Sequence, residues 1–545
     1  MCGPKNAKAD VTLWTTRVWM GVGVGVLLHL VMGALIDLSP DEAHYALYAS
    51  HLDWSYYDHP PLVGWLQWVF LQFGGANLWM RVVPMLAWLL TAWGVMRLGD
   101  ALYPQIAKSS VFGLRVDLLL LLLSPIPHLL GFALTPDALL MPLTCWVMWL
   151  TWQLCQPNEA LPKKKNANQK FVSNQADVNS NQIVTWLLLG LALGLSGLAK
   201  YTAVLLALGV VLALCRYKGY RWLLQLGPWL AFVVALLSVM PVLYWNAIND
   251  WASFVYQANH AAGSKAWQAR KLLLYVVVVI VSFGLIAPWA LRKHAQSGKS
   301  YHANATVSAP NLSSQKTQHP AAGFFVASFG VPGVLLLFYL SGRGSTLPHW
   351  VAPFFIALLP MIAAGVVGLI ADHPRIVKWV LALQALICAA MFALMLTGGF
   401  TSENEKQALT PPGVGVDEAA KNPFADLHGW SQAAELGVRW AKEKNVPTLA
   451  VTNWTLASRI AWYARPMPVK VVNAHGDQFD IWFGRFSPHE DVIWIDWSLM
   501  SFAPPVGDTQ FARCDVLENL PVRVAGRQIA HFNLSHCQDW QGPSK

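Results

Sequence analysis

Charge is what this chain has least of. Asp, Glu, Lys and Arg make up 12% of its 545 residues, whereas hydrophobic types make up 55%. Soluble domains carry roughly 25% charged residues, so the balance excludes an ordinary water-soluble enzyme and points to a polytopic membrane protein. Cysteine is also scarce, at seven residues. Five of these lie in or beside apolar runs or at the N-terminus. Cys514 and Cys537 alone sit in a polar region, where an oxidising compartment would allow a disulfide, although spacing by itself leaves that pairing open. The chain shows no internal repeat. The first apolar run leads straight into an acidic loop without a small-residue cleavage site, so it reads as a span and not as a cleavable signal.

Apolar runs are plentiful. Eleven are long enough, or nearly so, for the roughly 20 residues a bilayer requires: Arg17–Ile36, Arg81–Leu102, Leu114–Leu134, Ala138–Cys155, Ile183–Ala199, Tyr201–Cys215, Trp222–Trp245, Leu272–Leu291, Gly323–Leu340, Trp350–Ile370 and Val380–Leu396. Leu62–Phe73 is too short to span and reads as an interfacial helix. With the N-terminus inside, nineteen Lys and Arg residues before position 400 fall on the cytoplasmic side and six on the other. That asymmetry sets the orientation. It also accounts for the net charge of +9 without any nucleic-acid partner. Pro157–Gln182 and Gln296–Pro320 are polar and read as flexible cytoplasmic linkers.

Two units follow. Residues 1–399 form the membrane domain, with a first external loop at 37–80. Residues 400–545 have the composition of a small external α/β domain, with helices at Trp430–Asn445 and Ser458–Tyr463 and strands at Thr448–Thr452, Val469–Asn473 and Val492–Asp496.

The ionisable residues of the membrane domain gather on the external face. Asp41-Glu42-Ala43-His44-Tyr45 and Tyr56-Tyr57-Asp58-His59-Pro60-Pro61 occupy the first loop. Thr135-Pro136-Asp137, Lys200-Tyr201, Gln257 to His260, and Ser341-Gly342-Arg343 through His349 fall on the same side. Ionisable groups at a membrane edge mark a functional site by default. Carboxylates supply a general base or a metal site, and Lys and Arg neutralise a phosphate. Such a set suits a reaction in which a hydroxyl is deprotonated and a lipid phosphate leaves. A transporter or flippase of a lipid-linked glycan is the rival reading, but it calls for paired broken helices and polar groups near mid-bilayer. A non-catalytic envelope scaffold is a third.

These motifs resemble the family 39-type glycosyltransferases, bacterial relatives of protein O-mannosyltransferases and lipid A aminoarabinose transferases. The resemblance rests on the first-loop residues Asp41 to Tyr45, Asp53-Trp54 and Tyr57 to Pro61. It continues through Thr135 to Ala138, Gly197 to Tyr201, Phe254 to His260, Gly344 to Pro353 and Gln478 to Trp482. It implies a polytopic α-helical GT-C fold, here with about eleven transmembrane helices, and an enzyme of the bacterial inner membrane with a cytoplasmic N-terminus and a periplasmic C-terminal domain. It implies inverting transfer of a sugar from a polyprenyl-phosphate donor to a lipid, polysaccharide or protein acceptor. By the same resemblance Asp41, Glu42 and Asp137 are the expected catalytic residues. Lys200, Arg343, His44, His59 and Tyr57 would hold the donor phosphate, and Asp58 with His260 would bind a divalent metal ion as candidate cofactor. His44 and His59 stand where the aminoarabinose branch carries Arg and Lys, and His349 replaces a tyrosine. These departures argue against an aminoarabinose transferase specifically.

Overall fold

The computed structural model describes residues 4–156, 174–262, 266–305, 318–344, 346–400, 422–472, 476–500 and 504–542. The membrane part begins with α1 (Pro4–Leu35), α2 (Pro40–Ser50), α3 (Leu62–Leu71), α4 (Asn77–Met80) and α5 (Val82–Leu102). A two-residue-per-strand hairpin, β1 (Ser110–Val111) and β2 (Leu114–Arg115), precedes α6 (Val116–Leu122) and α7 (Pro125–Phe132). Then come α8 (Pro136–Cys155), α9 (Asn174–Ala199), α10 (Val204–Lys218), α11 (Leu226–Ile248) and α12 (Ala252–Ala262). The membrane part closes with α13 (Ala269–Phe283), α14 (Ala287–Ala305), α15 (Gln318–Ser341), α16 (Ala352–Asp372) and α17 (Pro374–Thr397).

Among the described residues nine helical segments are long and apolar enough to cross a bilayer. The other two expected spans are broken. Leu114–Leu134 divides into α6 and α7, because Pro125 and Pro127 bring no N–H groups to continue a helix. Leu272–Leu291 bends by 86° between α13 and α14, at Gly284, whose φ of 147° only glycine adopts readily. Each break leaves backbone groups without helical partners, which hydrocarbon does not tolerate. The Gln384 amide of α17 serves both. Its Nε2 donates to Leu123 O at 3.2 Å and Val281 O at 2.9 Å, and its Oε1 accepts from Leu285 N at 3.0 Å. At the first break His128 Nε2 also donates to Leu122 O at 2.8 Å. Nδ1 of that ring therefore accepts from His29 Nε2 at 2.9 Å.

The polar linkers are partly helical. Residues 174–182 form the first turns of α9, while residues 296–305 and 318–320 extend α14 and α15. The remainder, 157–173 and 306–317, lies outside the described residues. The short apolar run expected at Leu62–Phe73 forms α3, with Leu62, Val63, Gly64 and Gln67 buried and Leu66, Trp68 and Val69 exposed.

Beyond α17 a five-stranded mixed sheet has the order β4-β3-β5-β7-β6. Its elements are α18 (Trp430–Lys444), β3 (Leu449–Val451), α19 (Trp454–Ala464), β4 (Val469–Val471), α20 (Gln478–Phe483), β5 (Val492–Trp497), β6 (Phe511–Val524) and β7 (Arg527–Trp540). β3 runs parallel to β4 and β5, and β7 is antiparallel to β5 and β6. Cys514 and Cys537 face each other on β6 and β7 and form a disulfide. The long β6–β7 hairpin is absent from the sequence-based expectation. Strand β6 mixes Arg513, Asp515, Glu518, Asn519 and Pro521 into its apolar residues, so alternation is weak; as the edge strand it tolerates the proline. The domain is not separate from the membrane part. Leu38, Ala43, Ala46 and Leu47, at the start of and along α2, pack in one core with Leu456, Ile460 and Ala461 of α19. This contact brings the sheet domain over the first loop.

Candidate active site

Helix α2 begins with a capping box. Ser39 Oγ accepts from Glu42 N, and Glu42 Oε2 accepts from Ser39 N at 3.0 Å, with Pro40 supplying the preset φ of a first helical residue. Asp41 thus sits in the first turn. It makes no hydrogen bond or ion pair among the described residues and lies within electrostatic reach of His349, His44, Asp58 and Lys200. Glu42, expected beside it as a catalytic group, faces elsewhere. Its carboxylate forms a buried two-pronged pair with Arg81, at 2.8 Å from Nε and 3.1 Å from Nη2.

The loop after α2 is folded back by Tyr56, whose ring stacks on Tyr48 with centroids 3.5 Å apart. Gly64 of α3 permits this approach, since a Cβ there would lie 2.7 Å from Tyr48 Cβ. The fold-back delivers Asp58 Oδ1 to the Tyr48 hydroxyl at 2.5 Å and His44 Nε2 at 3.3 Å. Helix α12 and the sheet domain secure the loop backbone. Ser253 Oγ donates to Tyr56 O at 2.7 Å, Gln257 Nε2 to Asp58 O at 2.5 Å, and Tyr57 N to Gln478 Oε1 of α20 at 2.8 Å. His44 is roofed by rings of the sheet domain, with Trp454, Phe479 and Trp482 centroids at 5.6, 5.9 and 5.7 Å. Its Nδ1 lies 3.3 Å from Ser458 Oγ.

On the opposite wall Lys200, where α9 ends, meets Asp137 in the first turn of α8. Its Nζ donates to both carboxylate oxygens, at 2.8 and 2.6 Å. Both side chains are buried. His349 Nε2 lies 3.6 Å from the same carboxylate, and Lys200 Nζ is 4.9 Å from the Trp350 ring. Lys200 therefore does not present a bare positive charge; two of its three N–H bonds are committed.

The environments push the two loop carboxylates apart. Burial raises the Asp41 pKa above the usual carboxylate value, against the pull of His349 and His44. Asp58 is buried too, but His44 and the Tyr48 hydroxyl hold it well below that value. Such a divergence favours the ionised form of Asp58 and makes Asp41 the more readily protonated of the two. Burial lowers His59 to about 4, so it is neutral near pH 7 and offers a hydrogen bond without charge. Tyr57 is raised by burial as well.

Of the expected site residues, the structure gathers Asp41, His44, Tyr57, Asp58, His59, Asp137 and Lys200. Arg343 stands on the turn after α15, six residues before His349. His260 falls in α12, but its side chain lies outside the described residues. Among the described residues no three metal-ligating side chains converge, and Asp58 Oδ1 already accepts from Tyr48 and His44. No step below depends on a metal ion. Tyr48, Ser458 and Arg81 are contributions the sequence reading assigned no role in the site. Only the Gln478–Trp482 motif signalled that the sheet domain reaches it.

Two apolar grooves flank α9. One, of about 790 Å³, lies between α3, α5, α8 and α9; the other, of about 570 Å³, lies between α9, α10 and α11 and reaches Tyr201 and Phe254 beside Lys200.

The chain matches the family profile described as dolichyl-phosphate-mannose-protein mannosyltransferase over residues 58–162 and 175–245. The match includes Asp58, His59, Asp137 and Lys200 and begins after Asp41. No curated protein matches the chain by sequence. The structure of ArnT from Cupriavidus metallidurans in the apo state is similar at 15% identity, with a TM-score of 0.58, covering 95% of this chain and 98% of that one. The same protein bound to undecaprenyl phosphate aligns at 19% identity and TM-score 0.46, covering 83% of this chain and 75% of that one. The arabinofuranosyltransferase AftD from Mycobacteria aligns at 13% identity and TM-score 0.43, covering 97% of this chain and 42% of that one. The first of these shares its fold with this chain from end to end, so the chain is a multi-pass membrane protein of the GT-C fold, whose central site residues lie within the segments that match the mannosyltransferase profile.

Proposed function

We propose that this enzyme works at the outer face of the bacterial inner membrane, taking a sugar from a polyprenyl-phosphate donor and passing it to a hydroxyl of an envelope lipid, polysaccharide or protein. The observation that carries this reading is the Asp41 carboxylate, unpaired among the described residues and within electrostatic reach of Lys200, with an apolar groove that reaches Tyr201 beside that lysine. The acceptor oxygen attacks the anomeric carbon as its proton passes to Asp41. The bond from that carbon to the phosphate oxygen breaks, and the polyprenyl phosphate leaves with the negative charge. Attack opposite the leaving group inverts the anomeric centre. The third Lys200 N–H and neutral His59 supply hydrogen bonds to the phosphate, with Tyr57 and Arg343 at the rim; His44, expected there too, has both ring nitrogens engaged by Asp58 and Ser458 and serves to hold the loop. Asp137 orients Lys200, and Asp58 orients His44. Glu42 holds α2 and takes no proton in the reaction.

The test is turnover by purified protein in vesicles supplied with a polyprenyl-phosphate sugar, with release of polyprenyl phosphate as the readout. Movement of intact donor across the vesicle membrane without its cleavage would favour the flippase instead. Asp41, Asp137 and Lys200 stand at helix ends, and the gaps of the two broken spans are filled by the Gln384 amide, which favours transfer over transport.

The proposed orientation has its own expected result. In sealed cells, with the native free cysteines replaced, a cysteine at Asp508 in the sheet domain reacts with an impermeant thiol reagent. One at Tyr220, 79% exposed between α10 and α11, does not. Labelling at 220 with protection at 508 would reverse the membrane sidedness.

A further inference from the structure

The segment Ile36–Ser39 joins α1 to the helix that carries Asp41, and it is held from two sides. From the membrane side Arg81, fully buried, uses all five of its N–H donors. Nη1 reaches Gly33 O at 2.8 Å and Ile36 O at 2.9 Å, and Nη2 reaches Asp37 O at 3.0 Å. The remaining donors go to Glu42 in the first turn of α2. One guanidinium therefore caps the orphan carbonyls at the end of α1 and anchors the start of α2.

From the other side the sheet domain takes up the rest of the linker's polar groups. Asp37 N donates to Leu427 O at 3.0 Å, and Asp37 Oδ2 accepts from Trp430 N at 2.9 Å. Leu38 N donates to the Tyr463 hydroxyl at 2.8 Å, and that hydroxyl donates to Asn77 Oδ1 at 3.1 Å. Linker bonds to Arg81 and to the sheet domain are thus interleaved residue by residue over Ile36, Asp37 and Leu38.

We infer that Arg81 and Tyr463 are positioning residues for the transfer reaction, clamping the Ile36–Ser39 linker between membrane and sheet domain so that Asp41 keeps its place opposite the donor phosphate. This rests on the proposed role of Asp41. Lys200 and Asp137 stand on other elements, at the ends of α9 and α8, while the Asp58 loop is tied to α2 through Tyr48 and His44. Loosening the clamp therefore shifts the base relative to Lys200, which keeps its hold on the phosphate. A lysine at 81 has three donors on a single nitrogen and cannot bridge two helices as the planar fork does. A misplacement of about 1 Å at a reacting group costs on the order of 10²-fold in rate.

The experiment compares Arg81→Lys, Tyr463→Phe and wild type in vesicles, measuring kcat and KM for a polyprenyl-phosphate sugar together with binding of polyprenyl phosphate alone. Expected are a kcat lower by about 10²-fold for Arg81→Lys and by roughly tenfold for Tyr463→Phe, which loses one hydrogen bond to the linker. KM and polyprenyl-phosphate binding stay near wild type in both. Unchanged kcat per folded molecule in Tyr463→Phe, or a loss confined to yield and thermal stability, overturns the inference. So does a loss that appears in KM alone. Should Arg81→Lys not fold, Tyr463→Phe decides, since it leaves the buried ion pair intact. Wild-type protein that binds or cleaves no donor would instead sink the functional reading. The clamp then remains testable through an Asp41→Cys thiol, whose alkylation rate changes when Tyr463→Phe is added and stays the same if there is no clamp.

Discussion

Asp41→Asn is expected to leave a folded protein whose sugar transfer is slower by about 10²–10⁴-fold, the range lost when a general base is removed. Folding is spared because Asp41 makes no hydrogen bond or ion pair among the described residues. The helix start relies on Ser39 and Glu42 instead. The wild-type pH profile carries a second signature. The base must be ionised to act, and burial raises its pKa. Activity therefore falls with decreasing pH at a higher pH than an ordinary carboxylate would give, and Asp41→Asn flattens that acid limb. Asp58 has the opposite displacement, so its protonation lies too far on the acid side to produce the limb. Near-normal turnover in Asp41→Asn, or an acid limb that survives the substitution, removes Asp41 from the mechanism.

Lys200→Ala is expected to act on both catalysis and stability. A cation beside a departing phosphate at a low-dielectric site contributes on the order of 10²–10³ in kcat. The same lysine neutralises Asp137, which is 1% exposed, and stripping one partner from a buried pair costs about 3–5 kcal/mol. Lys200→Ala should therefore fall in both turnover and melting temperature. Lys200→Arg should keep the stability and part of the turnover. The double variant Lys200→Met/Asp137→Leu separates the two effects, regaining stability because neither charge remains unpaired while turnover stays low. If Lys200→Ala transfers sugar at the wild-type rate across donor concentrations, the pair is purely structural and the phosphate site is to be sought at Arg343.

The membrane architecture was legible because hydrocarbon imposes one rule on every span: a long apolar run. All nine continuous spans fall where such runs occur. The same rule hides the two breaks, since Leu114–Leu134 and Leu272–Leu291 are apolar enough overall to read as single spans and the amide that closes both gaps comes from Gln384, far along the chain. The site was legible as a set of residues on one face, and Asp41, Asp58, Asp137 and Lys200 do meet there. Their pairings were not. Nothing local says that Lys200 is bonded to Asp137, or that Glu42 turns to Arg81, because those partners are set by how helices pack. The roof over His44 was hidden for the same reason: Trp454 and Ser458 lie more than four hundred residues away in sequence.

Gln384 belongs to the last of the described spans in chain order. The helices whose gaps it seals, α6 with α7 and α13 with α14, are made long before it. Segments of seven and eight residues fall well short of a bilayer's width, and until α17 arrives the Leu123 and Val281 carbonyls lack the amide that satisfies them. Assembly of this membrane domain therefore has a built-in order of completion. A chain cut before Pro374 would hold all the proposed catalytic side chains of the membrane domain, yet neither broken span would be closed. Helix α17 thus completes two spans made before it.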